Sequence, residues 1–526
     1  MTTTEPTLAA AGATTRRRPA ISRTWVLLAL LWLFQAITTV IWLRQDNRYP
    51  IADTAVNLVR AFRVADVLAH PSLDWIARIV AASDGQPPLY FVVTAPLIWL
   101  FGPGADSATL VNLGLLALLL VSAAGLTAGL LARFFSADSD DASTHRSLAP
   151  WMALAAAAFL SFFPLVFTYQ RVYNPVFGLA TVVALAAWLL VRSQGFASRR
   201  YAVAFGLVAA AGVWMASTFW LYLLLPALIV VVQAVLTPRP VATSRHAPSR
   251  SRGDGLARRL RLAPAHINLA IAFLLALLGL TFYLVSDVPT TQQLSPRLAG
   301  AALLDDALGG FFLVLLLIGI LVALVQLIRP ARPGARVAFG LPLAALAGGL
   351  LLGTALGVMR SVPAAVGLLL PLLPAAAVIL VLWWPLLALE VERRRGAGAG
   401  SSAGRRILVV LGAVAALVAL VNFVVISWGA PIAAQSALRA TPVDADLPLA
   451  AGASLLAPGR AVVNQYPPQQ GRWLVSAVGQ AVADRCPDGE TCVVAVLPCL
   501  PAFSSDTFAY FVAQEGLGDR LRFVPV

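Results

Sequence analysis

The chain has 526 residues, of which 59% are hydrophobic and 12% charged, and its mean hydropathy is +0.82. An ordinary water-soluble globule carries roughly twice that charged share, so the composition excludes one and indicates a polytopic membrane protein. The net charge of +14 comes from arginine alone, with no lysine anywhere; most of the arginines stand in short gaps between apolar runs, where they set orientation and do not make a nucleic-acid-binding surface.

Residues 1–24 form a basic tail with Arg16, Arg17 and Arg18 ahead of the first apolar run. No small-residue cleavage site follows that run, so it reads as a retained helix and not a removed signal peptide. A membrane-crossing helix needs about 20 apolar residues, and the candidates lie at 25–43, 108–133, 150–169, 175–192, 201–217, 219–236, 266–285, 307–328, 337–358, 363–388 and 407–428. The expected architecture is therefore an all-α bundle of about eleven transmembrane helices spanning 25–428. A further apolar piece, 87–101, contains Pro96, and at 1.5 Å per residue it reaches only ~23 Å of a core ~30 Å thick.

The arginines choose the topology. If 87–101 does not cross, the gaps on the N-terminal side hold Arg199 and Arg200, seven arginines from Arg239 to Arg261, then Arg329, Arg332 and Arg336, and Arg393 to Arg395 with Arg405 and Arg406. Outside the first loop, the opposite gaps hold only Arg171, Arg297 and Arg360. The positive-inside rule then puts the N-terminus in the cytoplasm, and the loop 44–107 and residues 429–526 outside a plasma membrane. The acidic gap 134–149 dissents weakly, since carboxylates contribute little to orientation. The tracts 237–264 and 396–404 are too poor in apolar residues to offset ordering entropy and read as disordered.

After Trp428 short apolar runs broken by turn signals, with a helical stretch between them, predict a small external α/β domain over 429–526. Cys486 and Cys492 flank a turn-forming sequence, Pro487 to Thr491. They read equally well as a disulfide formed outside the cytoplasm and as buried small hydrophobes; Cys499 is left over in either case.

The first loop carries the chemistry: Asp46, Asp53, Asp66, Asp74 and Asp84 stand there beside five arginines, and ionisable groups held at a membrane are costly and usually functional. From Asp53 the polar positions Asn57, Arg60, Arg63, Asp66 and His70 alternate at helical spacing with Val56, Val59, Phe62, Val67 and Leu68, which predicts an interfacial helix with one face in lipid. Asp53 starts it, either as an N-cap or as a chemical group. Asp74 and Arg78 have the i, i+4 spacing of a surface ion pair.

An Asp opening such a helix, then Gln86-Pro87-Pro88-Leu89-Tyr90, then Arg171-Val172-Tyr173-Asn174-Pro175 resembles the GT-C class of membrane glycosyltransferases. The similarity is to the branch of protein mannosyltransferases and aminoarabinose transferases that use polyprenyl-phosphate sugars. It covers roughly 25–236. Where relatives often read Asp-Glu and His-Pro-Pro-Leu-Tyr-Tyr, this chain has Asp53-Thr54 and Gln86 to Phe91. The resemblance implies an inverting transfer with Asp53 as catalytic base; Asp46, beside Arg48-Tyr49, is the reserve base, and Arg48, Arg171 and Arg360 are candidates for the donor phosphate because the topology puts all three near the external surface. The resemblance also implies a substrate pocket lined by Gln86, Tyr90, Tyr173 and Asn174. Arg171 and Arg360 read equally as anchors of helix ends, and Trp383 with Trp384 reads as an aromatic belt. A divalent cation, the donor sugar and the acceptor are left open. A transporter or flippase is the alternative from another class, disfavoured by spans almost free of charge at their centres. A polymerase or ligase would need more than the short loop 286–306, and an inactive relative would keep the fold alone.

Overall fold

The computed structural model describes residues 23–46, 49–50, 53–135, 142–236, 264–281, 310–332, 334–355, 369–395, 402–428, 475–487, 490–496 and 504–525. Arg48, Arg360, Cys499, the loop 286–306, residues 429–474, nearly all of the tract 237–264 and residues 396–401 lie outside them, whereas 402–404, expected to be disordered, open a helix. A helix lies on each of the eleven apolar runs. The first eleven helices are α1 (Arg23–Gln45), α2 (Asp53–Ala69), α3 (Trp75–Ala82), α4 (Leu89–Phe101), α5 (Ala105–Thr109), α6 (Val111–Phe135), α7 (Ala142–Phe162), α8 (Pro164–Tyr169), α9 (Pro175–Arg192), α10 (Arg199–Met215) and α11 (Phe219–Leu236). They are followed by α12 (Pro264–Leu277), α13 (Gly310–Ile328), α14 (Ala335–Ala355), α15 (Leu373–Arg395) and α16 (Ser402–Trp428). Among the described residues four helical stretches, Arg23–Gln45, Ala105–Phe135, Pro175–Arg192 and Ala335–Gly353, are long and apolar enough to cross a membrane by length and composition; shorter apolar helices fill most of the other runs.

Lipid as solvent explains the surface. α1 turns Trp25, Leu30, Leu33, Ile37 and Ile41 outward, which water would oppose and hydrocarbon does not. α9 is the enclosed centre, 67% buried, and packs between α6 and α10. Close approach there depends on small residues: a side chain at Gly178 would meet Met215 Sδ at 2.6 Å and Tyr90 at 3.0 Å.

The structure divides the run 150–169. Phe163 is extended ahead of Pro164, which occupies the first turn of α8, because a residue before proline avoids the α conformation. Trp383 and Trp384 also depart from expectation. They sit inside α15, half-buried, with Trp384 6.1 Å from Phe159, and so pack within the bundle and do not form a belt.

α4 has 13 residues and reaches about 20 Å before Gly102, at φ 84°, ends it. It lies against α2. The face α2 buries is Ala55, Leu58, Ala61, Val64 and Ala65, together with Asn57, one step around the helix from the expected lipid face. The reason is that α2 has two protein partners. The bundle takes the small residues, and Phe62 meets a helix of the C-terminal segment.

That segment forms α17 (Val475–Ala483), β1 (Cys492–Val496), α18 (Ser505–Gln514) and β2 (Leu521–Pro525). The strands pair in parallel with Cys492 opposite Leu521, so the crossover between them contains a helix. Its own small core includes Val475, Cys486, Phe508, Phe511 and Phe523, with Phe508 and Phe523 stacked at 4.5 Å. Of the two readings of the cysteines, the structure has the disulfide between Cys486 and Cys492. Tyr510 docks the unit on the first loop: its ring lies 6.0 Å from Phe62 and 6.2 Å from Tyr49, and its oxygen accepts the Ala105 N–H at 3.0 Å.

Candidate functional site

The turn between α8 and α9 holds the buried arginine. A helix end leaves its last carbonyls without intrahelical partners, and at a membrane few waters replace them. Here Asn112, in the first turn of α6 and fully buried, donates from Nδ2 to the carbonyls of Tyr169 (3.3 Å), Gln170 (3.2 Å) and Val172 (2.9 Å). Its Oδ1 accepts the Tyr90 hydroxyl at 2.9 Å. From the other side Gln170 Nε2 donates to Gln35 O at 3.2 Å and Thr39 Oγ1 at 2.5 Å.

Arg171 is thereby fixed, 4% exposed. Its guanidinium carbon lies 5.5 Å from the ring centres of Trp42 and Phe167 and 5.3 Å from Phe423, and each aromatic face attracts the cation. Burial lowers its pKa, yet a guanidinium keeps its proton at any physiological pH. Trp42 Nε1 donates to the Ser427 carbonyl at 3.1 Å, which brings the end of α16 to the same place. Ser427 is fully buried and its hydroxyl has no partner among the described residues.

The described loop carboxylates differ in how they are used. Arg60 and Arg63 reach Asp84 at 3.0 and 3.3 Å, tying α2 to the turn after α3. Asp66 meets His70 at 3.4 Å. The expected Asp74–Arg78 ion pair is not direct: Ser72 Oγ donates to Asp74 at 2.6 Å and accepts from Arg78 at 2.9 Å. The Ser72 hydroxyl is the main cause holding the Asp74 carboxyl below its ordinary range. Asp46 is half-buried just past α1, its backbone N–H donating to Trp42 O at 3.0 Å. Asp53 is exposed at the start of α2 and makes no hydrogen bond or ion pair among the described residues. An N-cap carboxylate would accept first-turn N–H groups, and this one does not. Its charge lies within electrostatic reach of the Tyr169 phenol, two residues from Arg171.

The remaining expected site residues separate. Tyr90 and Tyr173 are buried, with ring centres 4.9 Å apart; Tyr173 donates to Thr94 Oγ1 at 3.1 Å. Both side chains stand in the packed interior behind the turn, not on an open wall. Asn174 is the N-cap of α9, its Oδ1 accepting the Val176 N–H at 3.0 Å. Gln86 is exposed on the turn before α4, where its carbonyl accepts the Ser83 hydroxyl at 2.7 Å. Asn112, Gln35, Thr39 and Ser427 belong to the arrangement and escaped sequence reasoning, since single polar residues inside apolar runs carry no spacing signal. Among the described residues no three His, Cys, Asp or Glu side chains converge on one metal position.

By sequence, no protein-family model and no curated protein matches the chain. Several solved structures are similar to it, three of them as follows. One is ArnT, an aminoarabinose transferase, from Cupriavidus metallidurans in the apo state, at 17% identity and a TM-score of 0.46, covering 95% of this chain and 90% of that one. Another is ArnT from the same organism bound to undecaprenyl phosphate, at 15% identity and 0.44 with the same coverage. The third is the Archaeoglobus fulgidus oligosaccharyltransferase tethered with an acceptor peptide, at 11% identity and 0.43, covering 96% of this chain and 64% of that one.

Proposed function

We propose that the chain is an inverting glycosyltransferase of the plasma membrane, which moves a sugar from a polyprenyl-phosphate donor to an acceptor on the external face. The observation that carries this reading is a carboxylate with no hydrogen bond or ion pair among the described residues, Asp53, whose charge reaches Tyr169, two residues before the buried cation Arg171.

The chemistry uses each in turn. The lipid tail keeps the donor in the bilayer while its phosphate and sugar reach the interface. An acceptor hydroxyl or amine attacks the anomeric carbon, and Asp53 takes its proton as the new bond forms. The bond from that carbon to the phosphate oxygen breaks on the opposite face, which inverts the centre, and the electron pair goes to the leaving phosphate. Arg171, with Arg48 and Arg360, stabilises that charge through bidentate hydrogen bonds. Asp46 remains the reserve base. Tyr90, Tyr173 and Asn174 shape the site from behind the turn, and Gln86 is exposed on the turn before α4.

The eleven-span topology goes with this function. The docking of Tyr510 against Tyr49 and Phe62 supports it, because the C-terminal unit and the first loop then share one side. Ten crossings between them satisfy that; an additional one at α4 would not.

The test is mass spectrometry of lipid-linked sugars in cells with and without the protein. A polyprenyl-phosphate sugar should accumulate in its absence and return to normal when the wild type, but not Asp53→Asn, is restored. An unchanged lipid-linked pool would overturn the reading.

A further inference from the structure

Asn112 makes more contacts with the Arg171 turn than packing alone requires. Its two amide hydrogens are shared among three carbonyls, and two of those, on Gln170 and Val172, flank Arg171 directly. The amide is in turn oriented by the Tyr90 hydroxyl at 2.9 Å. Tyr90 is itself tied through its carbonyl to Thr94 at 2.8 Å, and Thr94 to Tyr173 at 3.1 Å. The chain Tyr173–Thr94–Tyr90–Asn112 therefore ends on the backbone that aims one cation.

We propose that Asn112 is a positioning residue for anion recognition: it sets the backbone on both sides of Arg171 so that the guanidinium meets the donor's phosphate in a fixed pose. This rests on the proposed assignment of Arg171 to the donor phosphate. Asn112 touches neither substrate nor reacting atoms and acts through Arg171. The physical reason is the cost of the alternative. Without the amide, the Gln170 and Val172 carbonyls at the mouth of a membrane bundle lose their donor, and Tyr169 keeps only the Val172 N–H at 3.3 Å; the turn then refolds toward other partners, and a buried, pre-aimed guanidinium becomes a mobile one.

The experiment uses the full chain in detergent and measures the affinity for a polyprenyl monophosphate, together with the KM for the acceptor. Four proteins are compared: wild type, Arg171→Ala, Asn112→Ala and the double variant. Arg171→Ala should weaken phosphate binding about tenfold or more, as expected for a lost charged hydrogen-bond donor. Asn112→Ala should weaken it in the same direction and leave the acceptor KM unchanged. The double variant should bind no worse than Arg171→Ala, because residues acting through one another are non-additive. Additive losses, or a folded Asn112→Ala that binds like wild type while Arg171→Ala does not, would overturn the positioning role. Wild-type binding by Arg171→Ala would overturn the phosphate assignment itself. If Asn112→Ala does not fold, Tyr90→Phe removes only the hydroxyl that orients the amide. It should give a smaller loss that vanishes in the Arg171→Ala background, and a loss that persists there counts against the proposal.

Discussion

The Tyr510 phenol oxygen accepts the backbone N–H of Ala105 at 3.0 Å, joining the C-terminal unit to the segment between α4 and α6. Burial raises the Tyr510 pKa above the ordinary value of a phenol, about 10. The neutral phenol therefore contributes its full stabilisation below pH 10 and loses it as the pH climbs beyond.

That contact makes the first prediction. Tyr510→Phe keeps the ring against Tyr49 and Phe62 and removes one hydrogen bond, a loss of roughly 0.5–1.5 kcal/mol. Tyr510→Ala also removes the ring, at about 3–5 kcal/mol. Hydrogen exchange over residues 505–514 should rise slightly in the first variant and strongly in the second. Equal protection in all three proteins would mean the unit does not depend on this docking.

Topology gives the second. With eleven spans, Gln469→Cys lies outside and Ser249→Cys inside. An impermeant thiol reagent applied to intact cells should add label to the first variant over the wild-type background and none to the second. The reverse pattern would overturn this topology.

The third concerns the cations. Ala substitutions at Arg48, Arg171 and Arg360 should each weaken the apparent affinity for polyprenyl-phosphate donors by about ten- to a hundredfold, from the 1.5–3 kcal/mol of a charged hydrogen bond. Arg171→Ala should in addition lower thermal stability, because its guanidinium packs on Trp42, Phe167 and Phe423. Unchanged donor affinity in all three variants would overturn the assignment of these arginines to the phosphate.

How much of this was legible depended on whether the signal was periodic. The apolar runs announced the helices because lipid demands long uninterrupted hydrophobicity, and Pro164 announced the break in the run 150–169 to anyone weighing its neighbour's backbone. Which side of α2 is buried was not legible, because Val56, Val59 and Phe62 look more apolar than Ala55 and Ala61, and only the fold shows that Phe62 meets Tyr510 while the small residues pack on the bundle. Tyr90 and Tyr173 read as pocket residues from their motif, yet their hydroxyls are used inside the bundle. Asn112 gave no sign, since one amide in an apolar helix has meaning only once the turn it grips has folded beside it. Asp53 was legible in part: its position stood out, while its lack of a capping bond is a property of the folded loop.

The last prediction separates the two readings of Asp53 by a substitution that only one of them resists. Asparagine is among the best N-cap residues, so Asp53→Asn preserves the start of α2 under either reading, and expression and thermal stability should match the wild type. An amide cannot take the acceptor's proton, and general-base assistance is typically worth about 10²- to 10⁴-fold; sugar transfer should therefore fall by at least the lower figure. Because Asp53 forms no hydrogen bond or ion pair among the described residues, no second loss is mixed into that number, unlike a change at Asp84, which would release Arg60 and Arg63 together. Donor binding should be unaffected, since the proposed phosphate contacts lie on other residues. An Asp53→Asn protein that transfers sugar at near wild-type rate would leave Asp53 as the start of a helix and nothing more, and Asp46 as the base to test next.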